Sequence, residues 1–438
     1  MGKKISDFFK LNVIKGDLGL WMIYFLLCMI SIVTMYSASS RLSFDTGRHW
    51  VPLMSHVGYL VIGFIITVLV SKIPCKYFKL VPIVGIPVVV VLLVYAFFMK
   101  SDLNVSHNAH RWISVFGVNF QPSELAKTML ILATAVILSK LQKEEKVQTK
   151  KGTKTMIMAT KGGYSKAFYM ILWLTLIICG LIVPENFSTA MMLFLVIFIM
   201  MIIGNVPRKL LYKLVAVMTV VGAVFITALM VTPDQTLGKF KRALTWKNRI
   251  QTAVGIIDED KDSQEYKDKT WQADMSKMAI ASSGITGVGV GNSVSRDFLP
   301  HAESDFIYSI IIEEMGVAGG VFVLLLFVML IIRVGRVAQK CDRFFPAFLA
   351  IGLGLMMVIQ ALVNMAVAVG LMPVTGQTLP LISHGGTSIM IMSANFGMIL
   401  SISRYAAKAN GEKKIVTREL KRPAIMETGD VYSSVGMV

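Results

Sequence analysis

The chain has 438 residues, of which 55% are hydrophobic and only 16% are charged. Soluble globular proteins contain roughly 45–50% apolar and about 25% charged residues, so this composition excludes an ordinary soluble domain. Apolar runs of about 20 residues, the length that crosses a bilayer as a helix, recur along the whole chain. The sequence therefore predicts an all-α polytopic membrane protein.

About ten transmembrane helices are predicted, with a long outer loop between helices 7 and 8. They cover approximately 18–38, 52–71, 78–98, 122–139, 167–183, 187–204, 211–231, 306–332, 346–371 and 384–403. The eighth run is too long for one perpendicular helix, which predicts a tilt or an interfacial start. The first run lacks a small-residue cleavage pattern and is long enough to span, so no secretory signal is predicted.

The net charge of +18 would suit a nucleic-acid-binding protein, but its distribution argues against one. Lys and Arg gather in the segments that are cytoplasmic if the N-terminus is inside, and the rest of the chain is close to neutral. This is the positive-inside pattern, which also favours contact with anionic lipid headgroups. We predict a cytoplasmic N-terminus (1–17), a membrane domain (18–403), a cytoplasmic tail (404–438) and no nucleic-acid partner.

Two connections between the predicted helices are long. Residues 140–166 are rich in Lys, which predicts a solvated and flexible cytoplasmic loop. The outer loop, residues 232–305, is much longer and balanced in charge. A connection of that length is unusual unless it functions or folds on its own.

The second half of the outer loop carries two recognisable patterns. Four residues of the segment 268–284 recur at helical spacing and predict an amphipathic helix there: Trp271, Met275, Met278 and Ala279. The glycines of "GITGVGVGNSVSRDF" (284–298) then allow backbone to pass close to a ligand or to packed helices.

A first polar cluster stands at the start of the fourth predicted helix. Gln121, Pro122, Ser123 and Glu124 read as a helix start, because Pro suits the first turn and an acid suits the positive end of the dipole. Glu124 and Lys127 are spaced i,i+3 and can pair. Intramembrane charges are functional candidates, but a structural ion pair explains these two equally well.

Arg111 and Trp112 precede that helix on the predicted outer side. An isolated Arg-Trp commonly anchors a chain at the membrane interface. An Arg at headgroup level is also suited to bidentate binding of a phosphate.

The stretch "LPHAESDFIYSIIIEEMG" (299–316) gathers titratable residues where a hydrophobic run begins. They are His301, Glu303, Asp305, Glu313 and Glu314. Asp305 lies at the predicted outer interface, where a partly desolvated carboxylate can act as a general base; the alternative is an ordinary helix N-cap. Glu313 and Glu314 lie about 12 Å further along the helix, too deep for ordinary solvation.

A third segment, "PVTGQTLPLISHGGTS" (373–388), joins helices 9 and 10 and is rich in Pro, Gly, Ser and Thr. Irregular backbone at this depth is tolerated where protein or water surrounds it, so the segment is predicted to line a cavity. All three polar clusters fall on the predicted outer half. They favour an amphiphilic substrate with a polar head and a lipid tail.

These motifs also carry a resemblance. "RWI" with "FQPSELAK" (111–127), "GVGVGNS" (287–293), "LPHAESDFIYSIIIEEMG" and "PVTGQTLPLISHGGTS" resemble, in this order, the motifs of the SEDS family, the FtsW and RodA type of peptidoglycan glycosyltransferase. The likeness covers nearly the whole chain. The wording of the motifs is more similar to FtsW than to RodA.

The resemblance implies site residues by position. It puts the essential acid on Asp305, the loop cation on Arg296, where the family usually has Lys, and the outer Arg-Trp on Arg111 and Trp112. The other positions assigned to substrate binding are Gln121, Ser123, Glu124, Lys127, Glu303, Ser304, Ser383, Gly385 and Gly386. One departure concerns His301 and Glu303, because acid and imidazole have exchanged places relative to the family pattern.

The implied reaction is inverting glycosyl transfer between lipid II molecules at the outer face of a bacterial cytoplasmic membrane. Asp305 would take the proton of the attacking hydroxyl, giving β-1,4 glycan strands and releasing undecaprenyl pyrophosphate. Arg111, Arg296 or a divalent cation such as Mg²⁺ would stabilise the leaving group, and the residues themselves identify neither a cofactor nor a metal.

The same resemblance implies partners and a location. The partners are a class B penicillin-binding protein, which is a transpeptidase, and other division proteins, with septal localisation. Three alternative functions remain open: a lipid II flippase, a non-catalytic scaffold and a RodA-like polymerase for elongation. A flippase predicts polar residues along a path to both faces, and a scaffold predicts that Asp305 is replaceable.

Overall fold

The computed structural model describes residues 16–38, 50–98, 113–115, 118–149, 152–159, 163–232, 264–299 and 302–420. Four of the predicted features lie outside these ranges: Arg111, Trp112, His301 and most of the N-terminal segment 1–17. Residues 233–263 of the outer loop and the tail beyond residue 420 lie outside them as well.

The described residues form twelve α-helices and two short antiparallel hairpins. The helices are α1 Leu18–Ala38, α2 Val51–Lys72, α3 Val81–Phe98, α4 Pro122–Leu141, α5 Gly163–Ile182, α6 Phe187–Ile203, α7 Arg208–Val231, α8 Gln264–Ser283, α9 Ser295–Phe298, α10 Ile307–Gln339, α11 Phe344–Ala368 and α12 Gly386–Leu420. The strands are β1 Ile113–Val115, β2 Val118–Phe120, β3 Gln142–Thr149 and β4 Gly152–Ala159, and a 3-10 helix covers Cys75–Lys79.

The predicted fold class is confirmed. Within the described ranges, eight helices are long and apolar enough to cross a membrane, and α3 and α6 are shorter apolar helices. Each corresponds to one of the ten predicted spans, and the long loop lies between the seventh span, α7, and the eighth, α10. The helix α12 continues to Leu420, beyond the predicted end of the membrane domain.

Part of the predicted loop over 140–166 has regular structure. Strand β3 pairs with β4 in register from Gln142 opposite Ala159 to Thr149 opposite Gly152. The β-branched residues are Val147 and Thr149 in β3 and Thr153, Thr155 and Ile157 in β4, and such residues favour extended backbone.

The predicted helix is present as α8, and half of its predicted apolar face is packed. Ala279 is fully buried and Met275 is partly buried, whereas Trp271 and Met278 are 50% and 58% exposed. Ser276, which was not part of the predicted face, is also fully buried. The hydroxyl of Ser276 lies 2.5 Å from that of Ser309 on α10. It also donates to a carbonyl of α11, so a polar, small-residue face packs on the bundle.

The helix α10 is broken near its first third. Gly316 has φ 73° and ψ 178° inside an otherwise helical run. Residues 284–289 run alongside the break, and Val288 N donates to Glu313 O at 3.0 Å. A Cβ on Gly316 would overlap the Ile285 carbonyl, and one on Gly287 would overlap the Glu314 carbonyl. The prediction that glycines of 284–298 let backbone pass close to packed helices is confirmed at Gly287.

Candidate functional site

The start of α4 carries a buried ion pair. Nζ of Lys127 lies 2.7 Å from Oε1 of Glu124, and the two side chains are only 1% and 6% exposed. The same ammonium group donates to Oε1 of Gln360 on α11 at 2.8 Å. The predicted i,i+3 pair is therefore present, and a third, neutral partner on another helix completes it.

Two amide side chains of α11 link this pair to the 373–388 segment and to Asp305. Nε2 of Gln360 donates to the carbonyl of Thr378 at 3.0 Å. One turn later, Nδ2 of Asn364 donates to the carbonyls of Asp305 and Gln377, at 2.8 and 2.7 Å. Both amides are buried, and both were missed in the sequence, although two amides spaced i,i+4 inside an apolar span are a signal of a polar site.

The 373–388 segment is also fixed to α6. Nε2 of Gln377 donates to Oγ1 of Thr189 at 2.6 Å, and Thr189 lies in the first turn of α6. The hydrogen bonds thus join α4, α6, α11 and the residues before α10 at one end of the bundle, which we call the polar end.

Asp305 is half-buried at this polar end. The N-cap position of α10 falls one residue later, on Phe306, so the predicted alternative, in which Asp305 is the cap residue, does not describe this helix. The two residues before Asp305 pair with the 373–388 segment: the carbonyl of Glu303 accepts from His384 N at 2.8 Å, and that of Ser304 accepts from Ser383 Oγ at 2.6 Å.

The remaining predicted residues of the 373–388 segment have structural contacts. Oγ of Ser383 accepts a hydrogen bond from Leu379 N at 2.7 Å besides donating to Ser304. A Cβ on Gly386 would come within 2.7 Å of the Tyr59 ring on α2, whereas Gly385 has only ordinary contacts. The motif therefore packs the start of α12 tightly against its neighbours.

Glu313 on α10 is a buried acid that binds the loop before α9. Its carboxylate accepts from Ser293 Oγ at 2.5 Å, from Val294 N at 3.2 Å, and from both N and Oγ of Ser295, at 3.2 and 3.0 Å. Four donors from three consecutive residues satisfy this carboxylate without a counter-ion.

Glu314, the next residue, reaches the end of α1. Its Oε1 accepts from the Ser37 hydroxyl and, at 3.1 Å, from Gly291 N. Nη1 of Arg296 donates to the same Ser37 hydroxyl at 2.8 Å. Arg296, the predicted loop cation, is therefore held at the polar end by α1 and lies close to a buried acid.

Gln121 and Ser123 stand at the start of α4, as predicted. The carbonyl of Gln121 accepts from Glu124 N at 3.2 Å, and Ser123 is buried.

Within the ranges that the structure describes, no group of three or more His, Cys, Asp or Glu side chains is arranged to hold a metal ion.

This fold and site define a class of protein: a multi-pass α-helical membrane protein with a buried polar network at one end of its bundle. The family model FTSW_RODA_SPOVE, described as cell cycle protein, matches residues 18–408. The chain belongs to this family. The resemblance predicted from the motifs is thus confirmed, and so is the enzyme class, a glycosyltransferase.

Curated relatives and solved structures agree with this assignment. The chain is 30% identical over 417 residues to the "Probable peptidoglycan glycosyltransferase FtsW" of Bacillus subtilis strain 168, with 94% of each chain covered. A similar relative in Geobacter metallireducens has the same name and is 30% identical over 90% of this chain and 97% of its own.

Two solved structures share the fold. One is a chain described under "Structural coordination of polymerization and crosslinking by a peptidoglycan synthase complex", with a TM-score of 0.67, 22% identity, and 89% of this chain and 98% of that chain covered. The other is the rod shape determining protein RodA of Thermus thermophilus, with a TM-score of 0.59, 21% identity, and 90% and 98% covered.

Proposed function

We propose that this protein is a peptidoglycan glycosyltransferase that polymerises lipid II into β-1,4 glycan strands at the outer face of the bacterial cytoplasmic membrane. In this proposal both termini are cytoplasmic and the polar end faces outward. The observation that carries the proposal is the position of Asp305. This half-buried acid is adjacent to a network of buried polar side chains, in a family whose relatives carry this enzyme's name.

In the proposed reaction, Asp305 acts as general base. The C4 hydroxyl of the acceptor sugar loses its proton to the Asp305 carboxylate while its oxygen bonds to the anomeric carbon of the growing chain. The bond from that carbon to the pyrophosphate breaks, and undecaprenyl pyrophosphate leaves with the electron pair. Passing from an α-pyrophosphate to a β linkage inverts the centre, so a single base on the attacking hydroxyl suffices.

The structure supports this role because it restrains the backbone around Asp305. The Asp305 carbonyl is held by Asn364, and the two preceding carbonyls are held by Ser383 and His384. A base that is fixed before the substrate arrives needs little reorganisation in the transition state. Lys127 reaches the same network through Gln360 and Thr378.

Arg296 is the described cation best suited to the leaving pyrophosphate. Nη1 of its guanidinium group donates to Ser37, and the buried Nε lies 3.8 Å from Oδ1 of Asp297. An Arg presents five donors, so those of Nη2 remain for phosphate oxygens. Arg111 remains a second proposed phosphate ligand. A divalent cation such as Mg²⁺ would supply further charge neutralisation if it is bound.

A lipid II flippase is the alternative from a different class. It would require polar residues along a path between the two faces of the membrane. Among the described residues, the fully buried acids and the buried lysine all lie at the polar end: Glu124, Lys127, Glu185, Glu313 and Glu314. This one-sided distribution of buried charge favours chemistry at a single face, whereas uncharged buried residues such as Ser71 and Ser401 continue toward the other end of the bundle.

The cellular role that we propose is division, with a class B penicillin-binding protein and other division proteins as partners and a septal location. The curated relatives named FtsW favour division, and the solved complex named for polymerisation and crosslinking favours a transpeptidase partner. A RodA-like role in elongation is the alternative. A fluorescent fusion distinguishes the two, because a division protein collects at the septum and an elongation protein along the side wall.

The decisive experiment is polymerisation of lipid II by the purified protein with its partner, comparing wild type with Asp305→Asn. We expect a loss of glycan product of at least about 100-fold, the usual scale for removing a general base. Asp274→Asn, an exposed acid of α8, is the matched control and should behave as wild type. Equal glycan yield from Asp305→Asn would refute the catalytic assignment. Transbilayer movement of lipid II without polymer would instead support the flippase.

A further inference from the structure

Two histidines from distant parts of the chain contact each other at the polar end. His56 lies near the start of α2 and is fully buried, whereas His384 precedes α12 and is partly exposed. Their Nδ1 atoms are 3.4 Å apart, and the ring centroids are separated by 5.5 Å. Neither ring belongs to the network around Lys127, so the pair requires its own explanation.

The surrounding hydrogen bonds determine which nitrogen of each ring carries the proton. The Ser31 hydroxyl donates its only hydrogen to the Ile382 carbonyl at 2.9 Å. Its oxygen also lies 2.7 Å from Nε2 of His56, so it must accept there, and His56 carries its proton on Nε2. A neutral His56 then has a lone pair on Nδ1, which accepts from Nδ1–H of His384. The remaining nitrogen of His384, Nε2, therefore presents a lone pair, and no described residue bonds it.

That lone pair belongs to a residue adjacent to the proposed catalytic acid. The backbone of His384 is hydrogen-bonded to Glu303, two residues before Asp305. The groups that face His384 are Glu303 from the segment before α10 and His56 from α2, with Tyr59 of α2 packed on Gly386 nearby. Burial lowers the pKa of His384 below its usual value, and the Glu303 carboxylate partly opposes that shift. The ring is therefore neutral near pH 7, and its lone pair is available.

We propose that Nε2 of His384 is a substrate-binding group, which accepts a hydrogen bond from a hydroxyl or an amide N–H of the sugar headgroup. His56 and Ser31 are positioning residues that fix its tautomer and ring orientation. The inference rests on the proposed function, because the ligand is the lipid-linked sugar that the protein would polymerise. It adds to that function a hydrogen bond accepted by Nε2 of His384, which is possible only when the proton of this ring is on Nδ1.

The test is KM for lipid II in the purified protein with its partner, compared among variants at pH 7.5 and then followed as the pH is lowered. Protonation of Nε2 removes the lone pair, so KM of the wild type should rise as the pH falls toward the pKa of His384. His384→Gln keeps an acceptor oxygen that does not titrate, and its KM should vary less with pH. His384→Leu removes the acceptor, and we expect KM to rise about tenfold at pH 7.5, equivalent to about 1.4 kcal/mol, with kcat changed less than twofold.

A positioning variant separates this role from a structural one. His56→Leu breaks the relay that fixes the tautomer, so KM should rise by less than in His384→Leu, while kcat stays near that of the wild type. If KM at pH 7.5 is the same for the wild type and for His384→Leu, or the same for His384→Gln and His384→Leu, the inference is refuted. Where His384→Leu fails to fold, His384→Phe, which also lacks an acceptor, takes its place. Absence of polymerisation by the wild type would instead refute the proposed function, so the two failures are distinguishable.

Discussion

Replacement of Lys127 by Met tests how the buried pair of α4 contributes to stability and to activity. The substitution keeps the length and much of the volume of the side chain but removes its charge and its donors. Oε1 of Glu124 and Oε1 of Gln360 each lose the hydrogen bond that Lys127 makes. Because the pair is almost completely buried, water cannot replace those bonds.

The structure allows an estimate of the cost. Breaking a buried ion pair by removing one partner typically costs about 3–5 kcal/mol, because an uncompensated charge remains. In the double variant Glu124→Leu with Lys127→Met no charge is left, and only Gln360 Oε1 is unsatisfied. That acceptor costs about 1–3 kcal/mol in both variants, so its cost cancels in the comparison. The double variant should therefore be more stable than the single one by the cost of the unpaired charge, about 3–5 kcal/mol.

The measurement is the free energy of unfolding of the purified protein in mixed detergent micelles, together with glycan yield from lipid II. Lys140→Met, at the exposed far end of the same helix, is the matched control and should change stability by less than about 0.5 kcal/mol. Equal stability of the single and double variants would refute the reasoning, since it would mean that Glu124 is not left as an unpaired charge. Full glycan yield from the double variant would assign the pair a structural role only.

Two further predictions concern the loop that packs on α10. Gly316→Ala places a methyl group against the Ile285 carbonyl at a position with positive φ. We therefore expect a severe loss of folded protein, measured by size-exclusion chromatography. The control is Gly335→Ala on the same helix, where an added methyl group meets nothing within 4 Å, and it should fold like the wild type. Glu313→Gln puts an NH2 group, which cannot accept a hydrogen bond, among four donors. It should destabilise the protein by about 1–3 kcal/mol, measured as a lower melting temperature. An unchanged melting temperature would mean that the loop does not depend on this carboxylate.

Much of the fold follows from the sequence because hydrocarbon imposes a single strong constraint. Helices are the simplest way to satisfy every backbone group across about 30 Å of lipid, so runs of 20 apolar residues predict the spans well. The same reasoning fails where lipid does not act. Residues 142–149 pair with 152–159 as antiparallel strands, and Trp271 stays exposed on α8, because local pairing and helix contacts decide those positions.

The candidate site was predicted unevenly for a similar reason. Asp305, Glu124 and Lys127 are conspicuous because charges are costly in an apolar segment. Gln360 and Asn364 carry no charge and stand in the middle of the α11 pattern, and only the structure shows that they join Lys127 to the backbone of Asp305. The histidine pair could not be predicted, because its members lie 328 residues apart along the chain.

The 373–388 segment then acquires a different role from the one its composition suggests. Its polar groups are largely used to hold neighbouring elements: the Ser383 hydroxyl donates to the Ser304 carbonyl, and the Gln377 amide donates to the Thr189 hydroxyl of α6. Leu381, buried within it, adopts φ 63°, a conformation that costs a non-glycine residue about 1 kcal/mol or more and persists only when the surroundings impose it. Tight restraint of this irregular backbone restrains the residues before α10 as well. The backbone contacts of the segment can thus orient the proposed base, while His384 is its residue best placed to contact the substrate directly.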